Sequence, residues 1–173
     1  MVKTAKNEVL EPFHETRHDH AHCIGEALAS ADQLCLDAGV RLTPLRRRVL
    51  EMVWQSHEPV GAYDLLDRLR HERRRAAPPT VYRALDFLLE QGLIHRIESL
   101  NAYVGCGEPH DRHGGQFLIC RDCGSVAELN DGDIADTVVS KARRQGFHVQ
   151  RQTIEILGLC PNCGKKAGAI HAG

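Results

Sequence analysis

The sequence predicts an α+β protein in two parts. An N-terminal run of helices closed by a short hairpin is followed by a small C-terminal α/β block rich in paired cysteines. Three observations carry this reading. Helical periodicity fills residues 24–91, and strand-like segments separated by turn residues take over from Leu93. Two matched knuckles, Cys120-Arg121-Asp122-Cys123-Gly124 and Cys160-Pro161-Asn162-Cys163-Gly164, stand in the last third of the chain.

Residues 1–23 are polar, mixed in charge and rich in histidine (His14, His18, His20, His22), and are expected to form a flexible tail. From Ile24 the apolar residues Leu28, Ala31, Leu34 and Cys35 recur at helical spacing, and Gly39 marks a stop. Thr43-Pro44 is an N-cap followed by proline at the first helical position. The helix it opens carries Val49, Leu50, Val53 and Trp54, and residues 56–59 break it. A third helix spans Ala62 to about His71, with Leu65, Leu66 and Leu69 inward. Residues 76–79 form a rigid connector, and Thr80 is expected to cap a fourth helix that runs to Gln91. Its residues Val81, Leu85, Leu88 and Leu89 face inward, leaving Tyr82, Arg83 and Asp86 outward. Strands follow at 93–97 and 102–104. Three helices and a hairpin, with one helix in front, form a winged helix-turn-helix over residues 24–104. In such a domain the recognition helix presents its N-terminal half to the major groove. Arg83 suits guanine O6 and N7, and Tyr82 a phosphate or a thymine methyl.

Residues 105–115, rich in Gly, His and charge, read as a hinge. Beyond it, 116–119 and 126–129 are strands around the first knuckle. Asp131 or Asp133 opens a helix with Ile134, Val138 and Ala142, ended by Gly146, and 147–157 is a strand leading to the second knuckle. A block of this size, residues 116–173, buries little apolar surface alone, so metal and dimerisation are both expected to support it.

Each C-x-x-C turn brings two sulfurs together, and the glycine after it allows a tight backbone turn. Cys120, Cys123, Cys160 and Cys163 are therefore expected to make a closed tetrahedral shell of the structural zinc type, the alternative being two disulfides or redox pairs. Seven cysteines without a signal peptide imply a reducing compartment, where thiols bind metal or stay free. No apolar run is long enough to cross a bilayer. The net charge of −1 names no partner, but Arg41 and Arg46–Arg48 cluster with no acidic residue among them, and Arg73–Arg75 form a second group.

Pro78-Pro79-Thr80-Val81-Tyr82-Arg83-Ala84-Leu85-Asp86-Phe87-Leu88 resembles the recognition helix of the ferric uptake regulator family. Arg41-Leu42-Thr43-Pro44 and the two knuckles resemble that family's matching segments. The likeness spans roughly residues 24–164. It is closest to the zinc uptake regulator branch, through Ala62-Tyr63-Asp64-Leu65-Leu66 and Asp86-Phe87-Leu88-Leu89-Glu90-Gln91-Gly92. The resemblance implies a cytoplasmic homodimer that binds a palindromic site on double-stranded DNA and represses zinc-import genes when zinc is bound. It implies two zincs per subunit, one structural and one regulatory. By offset, His95, Cys106, His113 and Glu128 match the regulatory ligands, with His110 as the substitute for His113. A thiolate, two imidazoles and a carboxylate suit zinc, whereas iron- and manganese-sensing sites favour nitrogen and oxygen. Gln152 stands where relatives often carry histidine, which disfavours a third metal site. Arg46, Tyr63, Thr80, Tyr82 and Arg83 form the candidate DNA-contacting set.

Rival readings are a sister regulator that responds to iron, manganese or peroxide, a zinc-dependent enzyme using Glu128 as base, and a metal store using the tail. An enzyme needs an open metal position and a substrate pocket. Neither H-E-x-x-H nor H-x-E…P-C-x-x-C occurs, so no catalysis and no small-molecule substrate are expected.

Overall fold

The computed structural model describes residues 8–11, 13, 20–55, 58–72, 76–110 and 114–166. In chain order the elements begin with β1 (Glu8–Glu11), α1 (His20–Asp37), α2 (Pro44–Trp54), β2 (Val60–Gly61), α3 (Ala62–Glu72) and α4 (Pro78–Glu90). They continue with β3 (Ile94–Ile97), β4 (Ala102–Gly105), β5 (Gly115–Cys120), β6 (Val126–Asn130), α5 (Gly132–Arg144), β7 (Thr153–Gly158) and α6 (Pro161–Lys166). The chain divides into two compact units, one of residues 14–112 and one of residues 1–13 with 113–173.

The first unit is the winged helix-turn-helix, with α3 and α4 as the helix pair. Its core gathers Ala31 and Cys35 from α1, Val49, Leu50, Met52, Val53 and Trp54 from α2, Leu65, Leu66 and Leu69 from α3, and Val81, Ala84, Leu85, Phe87 and Leu88 from α4. α2 starts where the sequence places it, the Thr43 hydroxyl accepting from the Arg46 N–H at 3.4 Å. α4 starts earlier than Thr80. Pro78 and Pro79 open it, and the Thr80 N–H already donates to the Ala77 carbonyl at 2.9 Å, so Thr80 is helical and not the cap. Proline lacks the N–H that the first turn leaves unpaired and has the helical φ built in. The wing has three strands in the order β2-β4-β3, with Val60 opposite Tyr103. The short β2 lies between the break at 56–59 and the helix from Ala62 and is not expected from the sequence, because its pairing partner lies in a distant segment.

The second unit holds a four-stranded sheet in the order β1-β6-β5-β7. β5 runs antiparallel to β6 and parallel to β7, with Cys120 opposite Gly158. Asp131 caps α5, its carboxylate accepting from Asp133 N–H at 2.9 Å and Ile134 N–H at 3.1 Å. The apolar stripe of α5 buries nothing within the chain: Ile134 is 37% and Val138 41% exposed. Ile156 and Leu157 on the edge strand β7 are also exposed.

Two expectations are corrected here. Residues 1–23 are not tail throughout, since Glu8–Glu11 pairs with β6 and α1 starts at His20. The last strand begins at Thr153, not at 147. The second knuckle opens a short helix, α6.

Candidate metal centres and nucleic-acid interface

The parallel β5–β7 ladder brings both knuckles to one end of the sheet. Cys120 ends β5, the Arg121 N–H donates to the Gly158 carbonyl at 3.0 Å, and Cys160 follows two residues later. In the first turn the Gly124 N–H donates to the Cys120 carbonyl at 2.9 Å with φ at +74°, a conformation L-residues with a Cβ resist. In the second, the Gly164 N–H donates to the Cys160 carbonyl at 2.8 Å, and the Cys163 N–H points at the Cys160 sulfur at 3.4 Å.

The four sulfurs lie within 4.8 Å of one another, and Cys123 and Cys160 are 3.7 Å apart. All four are free thiols. Zinc–sulfur bonds of ~2.3 Å at tetrahedral angles imply sulfur–sulfur separations of about 3.8 Å. The cluster therefore fits zinc and not two disulfides.

Electrostatics agree with the geometry. Burial opposes ionisation of Cys120, but backbone N–H donors from Cys160, Cys123 and Asp122 outweigh it and bring the thiol down to about 6. The backbone N–H of Cys163 lowers Cys160. Cys163 shares its proton with Cys160, and that bond with burial pushes it up to about 12. The two directions are consistent: the first thiolates form readily, and the last ionises only when a dication offsets their charge. Cys163 then loses its proton on metal uptake, and protons compete with metal as pH falls. Apparent zinc affinity is expected to drop about tenfold or more per pH unit from about 9 towards about 6, as read by competition with a chromophoric chelator.

His95 and Cys106 belong to the winged-helix unit. His95 sits on β3 opposite Val104, and Cys106 follows β4 with its N–H donating to the Leu93 carbonyl at 3.1 Å. Their ligand atoms lie within 4.8 Å of each other, and Cys106 is 3% exposed. A buried thiol beside an imidazole is a soft, mixed donor pair that fits zinc. Glu128 lies on β6 of the other unit, opposite Phe117, and is 2% exposed. A carboxylate so buried needs a cation or donors to remain ionised. His113 lies outside the described residues.

On the recognition helix Tyr82, Arg83 and Asp86 are exposed, and Thr80 is half-buried. Tyr63 on α3 is 69% exposed, so the partner helix of the pair also offers a large ring to solvent. The arginine cluster behaves differently from its sequence. Arg47 pairs with Asp32 of α1, and Arg48 with Glu72 of α3 and with Glu51 at 2.7 Å. Neither is a free cation. Arg46 stacks over the Phe87 ring at 3.6 Å and donates to the Arg41 carbonyl at 2.6 Å. This holds its guanidinium against α4. Phe87 as the platform for Arg46 escaped the sequence reading, because nothing local links position 46 to position 87. Arg73–Arg75 lie outside the described residues.

The chain matches the Ferric uptake regulator family over residues 37–157. It is 44% identical over 149 residues to the zinc uptake regulation protein of Escherichia coli (strain K12), covering 84% of this chain and 86% of that protein. It is 33% identical over 129 residues to the zinc uptake regulation protein of Mycobacterium tuberculosis (strain ATCC 25618 / H37Rv), covering 73% of this chain and 96% of that one. Among solved structures it is similar to a zinc uptake regulator complexed with zinc and DNA, with a TM-score of 0.80 and 42% identity over 84% of this chain and 97% of the other. A family match over most of the chain, a shared fold and the four-cysteine cluster together lead to one assignment: the chain belongs to the ferric uptake regulator family.

Proposed function

We propose that the chain is a zinc-responsive, DNA-binding transcriptional repressor of zinc-uptake genes, acting in the cytoplasm as a homodimer on a palindromic operator. One observation carries this reading most: the likeness, along most of both chains, to a zinc uptake regulator complexed with zinc and DNA. The donor chemistry supports zinc over the sister readings, since Cys106 would be an unusual ligand for an iron, manganese or peroxide sensor.

Two zincs per subunit follow. Cys120, Cys123, Cys160 and Cys163 hold one, which is structural because the shell is closed. His95, Cys106, His113 and Glu128 hold the other, which is regulatory. Bound zinc supplies a dication whose coordination keeps these donors together. Because the donors come from both units and their join, a complete shell restricts the freedom of one unit against the other and selects one arrangement. In a dimer that arrangement sets the spacing of two α4 helices for successive major-groove faces. The uncovered stripe of α5 and the exposed residues of β7 support a second copy as the partner of this unit. Arg46, Thr80 and Tyr82 hold the duplex, and Tyr63 and Arg83 read bases.

The test is fluorescence anisotropy on a duplex selected from a random pool, with zinc buffered over a graded range. Binding is expected only above a zinc threshold. Arg83→Ala is expected to weaken it by about 1–3 kcal/mol and to relax specificity at one base pair. Binding that ignores chelation, or that follows iron or manganese instead, overturns the zinc reading.

A further inference from the structure

Trp54, the only tryptophan in the chain, closes α2 and is 9% exposed. Its indole lies on the backbone of Gly105. A Cβ at that position would stand 2.5 Å from Cζ2 and Nε1 and closer still to Cε2, nearer than real Cβ atoms come. Gly105 does not have the positive φ that would itself demand glycine. The ring, then, is what excludes a side chain there.

Gly105 is the last residue of β4, paired with Ile94 of β3, and the next residue is Cys106. The Cys106 N–H is held by the Leu93 carbonyl, so its backbone is fixed from the β3 side by the hairpin and from the α2 side by the indole seated one residue before it. His95 adjoins Ile94, so the same ladder sets the register of both donors. A rigid aromatic face against a strand end is the kind of support that keeps a metal ligand in place without touching the metal.

We propose that Trp54 is a positioning residue for the ligand Cys106: its indole, packed on Gly105, sets where the thiol sits, and its emission reports metal occupancy there. This rests on the reading of Cys106 as a regulatory zinc ligand. The experiment titrates zinc, then cobalt, into the full chain. It follows tryptophan emission, the cobalt–thiolate charge-transfer band and metal retained against a chelator. In the wild type, emission should change saturably with the exchangeable equivalent, and in Cys106→Ser it should not. Gly105→Ala is expected to weaken the exchangeable metal about 10–100-fold and to shift the charge-transfer band, with the four-cysteine metal retained. Trp54→Leu removes the colliding atoms together with the support, so the Trp54→Leu/Gly105→Ala double variant should bind the exchangeable metal as Trp54→Leu alone does, and more tightly than Gly105→Ala. A purely structural role would lower melting temperature without this selective loss and rescue.

If Gly105→Ala does not fold, the wild-type emission response and a weakened exchangeable metal in Trp54→Leu alone decide the matter. Wild-type metal affinity in a folded Gly105→Ala, or emission blind to the exchangeable metal, overturns the proposal while leaving Cys106 as ligand. A Cys106→Ser protein that keeps both metals removes the ligand reading itself.

Discussion

Cys106→Ser is expected to lose zinc-dependent DNA binding while keeping one tightly held zinc and its fold. Serine nearly matches cysteine in size, so packing around a residue only 3% exposed changes little. The chemistry changes fully, because a hydroxyl at neutral pH does not supply the anionic sulfur that zinc draws on. Three remaining donors leave an open shell, and the coupling between metal and DNA goes with it. Allosteric couplings of about 1–3 kcal/mol correspond to roughly 5–150-fold in affinity, and that is the loss expected in the zinc-stimulated component. Zinc content under graded chelation, paired with anisotropy on the selected duplex, reads both quantities. One retained and one missing zinc, with DNA binding fixed at the zinc-free level, is the expected pair. Two retained zincs with normal DNA binding would sink the switch and direct attention to iron, manganese and peroxide.

The second large effect lies at the other metal centre. Cys120→Ser is expected to unfold the sheet unit and spare the winged-helix unit. Among the described residues, the buried side chains of the sheet unit are few: Phe117, Ile119, Val126 and Ala127 form its apolar part, α5 buries no residue, and the cysteines occupy much of the rest. Structural zinc in small domains contributes an apparent ~10–16 kcal/mol. Whole domains are stable by only about 5–15 kcal/mol, so losing the metal exceeds what so small a core can make up. The winged-helix unit keeps its own core across α1, α2, α3 and α4, so it is expected to stay folded without that metal. Limited proteolysis followed by mass analysis checks this: residues from α1 to β4 should survive as a resistant fragment while the remainder is digested. A Cys120→Ser protein that resists digestion throughout and retains its wild-type metal content would refute it.

The local elements were legible because their signals are local. Thr43-Pro44 opens α2 by a side-chain cap and a preset φ, and Asp131 opens α5 by a side-chain cap alone. The apolar spacing of Leu65, Leu66 and Leu69, and of Val81, Leu85 and Leu88, gave the buried faces of α3 and α4. Thr80 misled because two prolines before it compete for the helix start, and proline at the first turn prevails. β1 and β2 were missed for a common reason. A four-residue or two-residue strand carries almost no periodicity and exists only because β6 or β4 supplies its hydrogen bonds.

By itself the sequence determined the helical framework, the donor types and the zinc chemistry of the two knuckles, all set by residue identity and short-range spacing. Only the tertiary structure decided which of these groups meet. The parallel β5–β7 pairing converts two separate C-x-x-C turns into one four-sulfur cluster. Asp32 and Glu72, far in sequence from the arginine run, neutralise Arg47 and Arg48 and leave Arg46 against Phe87. Trp54 meets Gly105 only because α2 packs on β4. Charge pairing, metal geometry and close packing act over a few ångströms of space, and folding, not position along the chain, brings those partners within reach.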